Sequence, residues 1–160
     1  MTSLLISIHV VAGLLFLGPV TVAGSLFPRY ARQALGQLPI RDQPYAATRL
    51  LHRVTAGYAI AAIAIPVFGA GAASEKHVFG KPWLQAAIVL VVIAAILLAL
   101  IVLPGQRRVV TELERPDSNG PTTVPSLHAL LTRLSMATGL FAVAWVAVAV
   151  LMVTKPGGAH

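Results

Sequence analysis

The sequence predicts an all-α fold: a polytopic membrane protein built as an antiparallel bundle of four transmembrane helices, with both termini outside. Three observations carry this. Of the 160 residues, 57% are hydrophobic and only 11% are charged, whereas a soluble domain carries about a quarter charged residues. Four apolar runs are each long enough to cross a bilayer, which takes about 20 residues. The basic residues are divided unequally between the connections. Disorder is excluded, because disordered chains are poor in apolar residues and rich in charge. With no cysteine, disulfide scaffolds, thiolate metal sites and iron–sulfur centres are excluded too.

The first run, Leu4 to Phe27, holds no Asp, Glu, Lys or Arg. It lacks the basic start of a signal peptide and is too long for a signal's apolar stretch, so it reads as a retained helix. The others are Val54 to Ala72, Trp83 to Pro104 and Leu134 to Thr154. Each must be a helix, because lipid offers an isolated strand no backbone partners. The connections, 28–53 and 105–133 on one side and a short one on the other, leave no room for a soluble domain, so residues 1–160 read as one domain. Asp42 with Pro44 reads as an N-cap followed by proline in the first turn, starting helix 2 near Gln43. Pro125 and Ser126 start helix 4 before His128. Pro19 and Pro66 should bend helices 1 and 2. The stretch Arg115 to Pro125 is a loop by composition.

Orientation follows from the basic residues. The first loop and the start of helix 2 hold Arg29, Arg32, Arg41, Arg49 and Arg53, and the third loop and the start of helix 4 hold Arg107, Arg108, Arg115 and Arg133. The opposite side has Lys76, Lys81 and Lys155. The arginine side is expected to be cytoplasmic. The formal charge of +7 is then topology information, and a basic rim also suits anionic headgroups. Nucleic acid is not an expected partner, since no basic domain stands clear of the spans.

The two halves of the chain show a faint likeness, Arg53-Val54-Thr55 against Arg133-Leu134-Ser135, consistent with a parallel 2+2 repeat. Gly57 with Ala61 and Ser135 with Gly139 are small-xxx-small pairs that permit close helix approach, which makes helices 2 and 4 the expected packed centre. Helix 3 is Val, Ile, Leu and Ala all round from Ile88 to Leu103 and faces either lipid or an apolar partner.

No carboxylate lies inside a span, and no Lys or Arg lies deeper than the ends. Ion-coupled transport nearly always needs such a group, and hydrolytic chemistry needs paired carboxylates or a Ser/His/Asp set. The histidines are the remaining chemistry. His52 and His128 both fall at the arginine end, where guanidinium groups could meet haem propionates, and two facing imidazoles are what a haem b requires. His52 precedes its apolar run by two residues and His128 by six, an offset of roughly 6 Å. His9, inside helix 1, reads as a neutral histidine bonded to Gln85 or a backbone carbonyl, with a ligand role as the alternative. Arg49 and Arg53 flank His52 on one helix face and suit an anionic headgroup or an acidic partner as well as a plain anchor.

His9 in an apolar first helix, then Gly18-Pro19 and Phe27-Pro28-Arg29, resembles a group of small four-helix bacterial integral membrane proteins. The layout is also similar to copper-resistance D-like proteins and to the bacterial membrane-bound protoporphyrinogen oxidase. That enzyme pairs a first-helix histidine with a lysine after a Trp-Leu. Here Trp83-Leu84 and His9 match, while Ala86 and Ala87 stand at the lysine's place, so the resemblance carries over one of the two groups. Small proteins of this kind also resemble accessory subunits at the edge of bacterial respiratory supercomplexes. That resemblance implies a bacterial inner-membrane, non-catalytic subunit without a cofactor, held by other integral membrane subunits and by anionic lipid such as cardiolipin. Arg29, Arg32, Arg49, Arg53 and Arg133 would be its contacts. The rival expectation is a small b-type haem protein using His52 and His128, or His9.

Overall fold

The computed structural model describes residues 2–36, 42–114 and 124–156. Among these residues all regular structure is helical, in four rods: helix 1 (Ser3–Leu35), helix 2 (Gln43–Glu75), helix 3 (Pro82–Glu114) and helix 4 (Ser126–Thr154). All four are long and apolar enough to span a membrane. The first three have 33 residues each, about 50 Å of helix against a hydrocarbon core of about 30 Å.

The extra length stands mainly at the arginine end. Helix 2 starts at Asp42 and helix 4 at Val124, as the proline signals predict. Helices 1 and 3 depart from expectation. They do not stop at Pro28 and Pro104 but continue to Gly36 and Glu114, so much of the predicted 28–53 and 105–133 loops is helical. Interior proline costs about 3 kcal/mol. Against this, Phe27, Ala31, Val109, Leu131 and Leu134 form a fully buried core, edged by Leu35, Leu51, Leu113 and Leu130. Burying each large apolar side chain is worth about 1.5–3 kcal/mol, so packing outweighs the proline penalty.

Local backbone geometry absorbs the other prolines. A proline cannot donate to the carbonyl four residues back, and its ring crowds that carbonyl. For Pro19 and Pro104 those carbonyls, of Leu15 and Leu100, lie in wider π-helical stretches, Gly13–Leu17 and Leu97–Val102, which open the turn. For Pro66 the helix breaks at Ala62 and Ile63, and the Ala62 carbonyl accepts instead from Ile65 N–H at 3.0 Å.

Helix 1 packs along helix 2, helix 3 packs along helix 4, and helix 4 closes against helix 1. Helices 2 and 3 meet at the arginine end. Helices 2 and 4 lie on the diagonal without extended contact, which corrects the expectation that they form the packed centre. Their small pairs explain why. Gly57 and Gly139 are exposed, and a Cβ added to either would meet nothing within 4 Å. The close crossings use other glycines. A Cβ on Gly24 would lie 2.8 Å from Thr138 Cγ2, and one on Gly105 would lie 2.6 Å from Leu134 Cδ2. Helix 4 thus sets Leu134 and Thr138, one turn apart, against bare backbone on helices 3 and 1.

Helix 3, uniform in sequence, is sharply two-sided in place. Ala87 and Ala94 are buried at 1% and 0% exposure. Ile88, Val89, Val92, Ile93, Ile96, Leu100 and Ile101 all point out. Ala87 and Ala94 allow the close approach that membrane helices use at their contacts, and lipid exerts no hydrophobic penalty on large side chains that face out.

Candidate functional site: polar clamps and the arginine end

Two sets of polar bonds join helices inside this bundle. Toward the lysine end, His9 Nδ1 donates to the Ile65 carbonyl at 2.7 Å. The imidazole also lies close to the next turn of helix 2, where a Cβ on Gly69 would come within 2.8 Å of its Cε1. Of the two partners expected for His9, the backbone carbonyl is the one used; Gln85 instead reaches its own connection, at Phe79 O, 3.5 Å away.

At the arginine end, helices 2 and 3 are bridged by a ladder. His52 Nδ1 donates to Gln106 Oε1 at 3.2 Å. Gln106 is 1% exposed, so its amide needs this protein partner. Two turns further out, Tyr45 Oη donates to Glu114 Oε1 at 3.1 Å, and Arg49 Nε lies 3.7 Å from the same oxygen. Residues 45, 49 and 52 fall on one helical face, opposite 106 and 114. Arg49, read from sequence as a headgroup or partner contact, is thus engaged inside the protein. Both charged side chains of that pair are about half exposed, so the ion pair is weak. Arg49→Gln is expected to lower stability by less than about 1 kcal/mol, read as a small drop in unfolding temperature in detergent.

Four threonine hydroxyls bond within their own helices: Thr21, Thr48, Thr55 and Thr138 each donate to the carbonyl four residues back, at 2.7 to 2.8 Å. The indole Nε1 of Trp145 is buried without a partner, with Phe141 edge-on to the ring at 6.2 Å.

His128 is exposed at the start of helix 4, and His52 is half-buried on helix 2. The two are carried on helices 2 and 4, which lie on the diagonal, and His52 Nδ1 is bonded to Gln106 Oε1. Among the described residues no three of His, Asp and Glu converge as a metal site would need. Arg29, Arg32, Arg53 and Arg133 are all exposed. Arg133 lines a depression of about 270 Å³ with Arg108 and Glu112 of helix 3.

Gln106 and Glu114 lie beyond Pro104, the expected end of helix 3, and so are not among the residues the sequence singles out. The signal was there: Val102, Gln106, Val109, Val110 and Leu113 continue a helical stripe beyond the proline.

Comparison with protein-family models, curated proteins and solved structures finds no match.

Proposed function

We propose that this chain is a non-catalytic helical subunit or association factor of a larger bacterial membrane complex, a respiratory-chain oxidase supercomplex in particular. It lies in the inner membrane with the arginine end cytoplasmic and both termini outside, the side being set by the excess of arginine. The observation that carries the reading is the use made of the polar groups. His9, His52, Gln106 and Glu114 hold helices to one another, and the threonines serve their own backbones. What remains on the outside is a wide branched-aliphatic face on helix 3 above an arginine rim. Such a body recruits neighbours by shape and charge. Arg29, Arg32, Arg53 and Arg133 are then contacts for acidic partner loops and for anionic lipid such as cardiolipin.

The test is mild detergent extraction from native membranes at native abundance, followed by quantitative mass spectrometry and an optical spectrum. Respiratory subunits are expected at a fixed ratio to this chain. Migration alone, with no co-purifying subunits, would sink the proposal. A lone protein with a Soret band that disappears in His52→Ala would make the chain a small b-type cytochrome instead.

A further inference from the structure

We propose that the depression between helices 3 and 4 at the arginine end is a specific site for the phosphodiester headgroup of an anionic glycerol-type lipid. The inference deepens the lipid part of the function proposed above and rests on the bundle's being membrane-embedded, not on the identity of any partner complex.

The depression holds about 270 Å³ and is lined by Arg108 and Glu112 from helix 3 and by Ser126, Leu127, Leu130 and Arg133 from helix 4. That volume sits just under the range of about 300–1,000 Å³ for pockets that enclose drug-sized ligands, which suits a headgroup better than a whole molecule. Two guanidinium groups from different helices converge on it, and guanidinium forks match phosphate oxygens in pairs. Glu112 stands in the same wall, and a like charge close by disfavours a dianion relative to a phosphodiester.

Placement supports the same ligand. Arg108 stands four residues past Pro104 and Arg133 immediately before Leu134, at the edges of two apolar runs. The pocket therefore lies at headgroup depth. On the same helix faces, one and two turns deeper, Ile101 is 43%, Met136 70% and Leu140 54% exposed. Acyl chains attached to a headgroup in the pocket would lie along these side chains. Arg107 of the same end and Lys81 of the other are not among the residues that line it.

The full-length protein would be purified in mild detergent and titrated with phosphatidylglycerol, with phosphatidylcholine and with inorganic phosphate, bound lipid being counted by native mass spectrometry. Phosphatidylglycerol is expected to be retained roughly tenfold better than phosphatidylcholine, and Arg108→Gln or Arg133→Gln to reduce that retention by roughly tenfold. Arg107→Gln and Lys81→Gln, at exposed positions outside the depression, should retain it as the parent does. Both pocket arginines are exposed, so their variants should keep the parent's circular dichroism and unfolding temperature. Equal retention by all four variants, or equal binding of the two lipids, would overturn the site. So would displacement of the lipid by millimolar inorganic phosphate, which would assign the same phosphate chemistry to a soluble ligand. Co-purifying subunits are scored separately: a protein that migrates alone yet retains phosphatidylglycerol through Arg108 and Arg133 upholds the site while refuting the association role.

Discussion

Replacing Gly105 by alanine is expected to destabilise the bundle by about 1–3 kcal/mol, the usual cost of forcing a methyl group into a filled core. The new Cβ would lie 2.6 Å from Leu134 Cδ2. Leu134 is 1% exposed and sits in the core that joins the helices, so a shift of its side chain has to be taken up by packed neighbours. Gly105→Leu should cost more and should lower the yield of folded protein. The contrasting variants are Gly57→Ala and Gly139→Ala, whose added methyls meet nothing within 4 Å. Alanine is the better helix former by up to about 1 kcal/mol, so these two should be neutral or slightly stabilising. Thermal unfolding in detergent, followed by tryptophan fluorescence, reads all four. The double variant Gly105→Ala with Leu134→Ala should recover part of the loss of Gly105→Ala relative to what simple addition predicts. Equal behaviour of Gly105→Ala and Gly57→Ala would refute the packing described here.

The second large effect is expected at Gln106. Gln106→Leu keeps the volume but removes the acceptor at 3.2 Å from His52 Nδ1. Leaving a polar group unpaired in a buried position costs about 1–3 kcal/mol, and His52 is only half-buried, which places the expected loss in the lower half of that range. His52→Leu should cost a similar amount, because Gln106 is 1% exposed and its amide would then have no partner. Combining His52→Leu with Gln106→Leu removes both polar groups together, and replacing both partners by apolar groups is nearly neutral. The double variant should therefore be more stable than either single one. Additive losses in that cycle would show that the two residues do not bond to each other.

How much of this could be read from residues alone varies by element. Four apolar runs bounded by prolines and arginines specify four helices, and the early starts of helices 2 and 4 follow from Asp42, Pro44, Pro125 and Ser126. The ends of helices 1 and 3 were misplaced because a proline is a local signal, and the local penalty at Pro28 and Pro104 is outweighed by contacts of Phe27, Ala31, Val109 and Leu131 that belong to other helices. The polar partners were half legible. A lone intramembrane histidine announces that it needs an acceptor, but nothing in the chain distinguishes Gln85 from the Ile65 carbonyl. That choice depends on which turn of helix 2 carries a glycine beside the ring, and it is Gly69 that does.

The sequence by itself determined the class of the fold, the number of helices, the unequal division of charge between the two ends and the lack of any charge within the spans. These are properties of composition along one line, where each residue's transfer cost into lipid is nearly independent of its neighbours in space. Only the tertiary structure decided which glycines are crossings and which merely face outward, that helices 2 and 4 stand on the diagonal, and that helix 3 turns Ala87 and Ala94 inward while Ile88, Val89, Val92, Ile93 and Ile96 face out. In lipid a leucine gains nothing by being buried, so hydrophobicity carries no directional information on an apolar helix. Direction comes instead from how closely two backbones can approach, and that is a property of pairs of helices that no single helix displays.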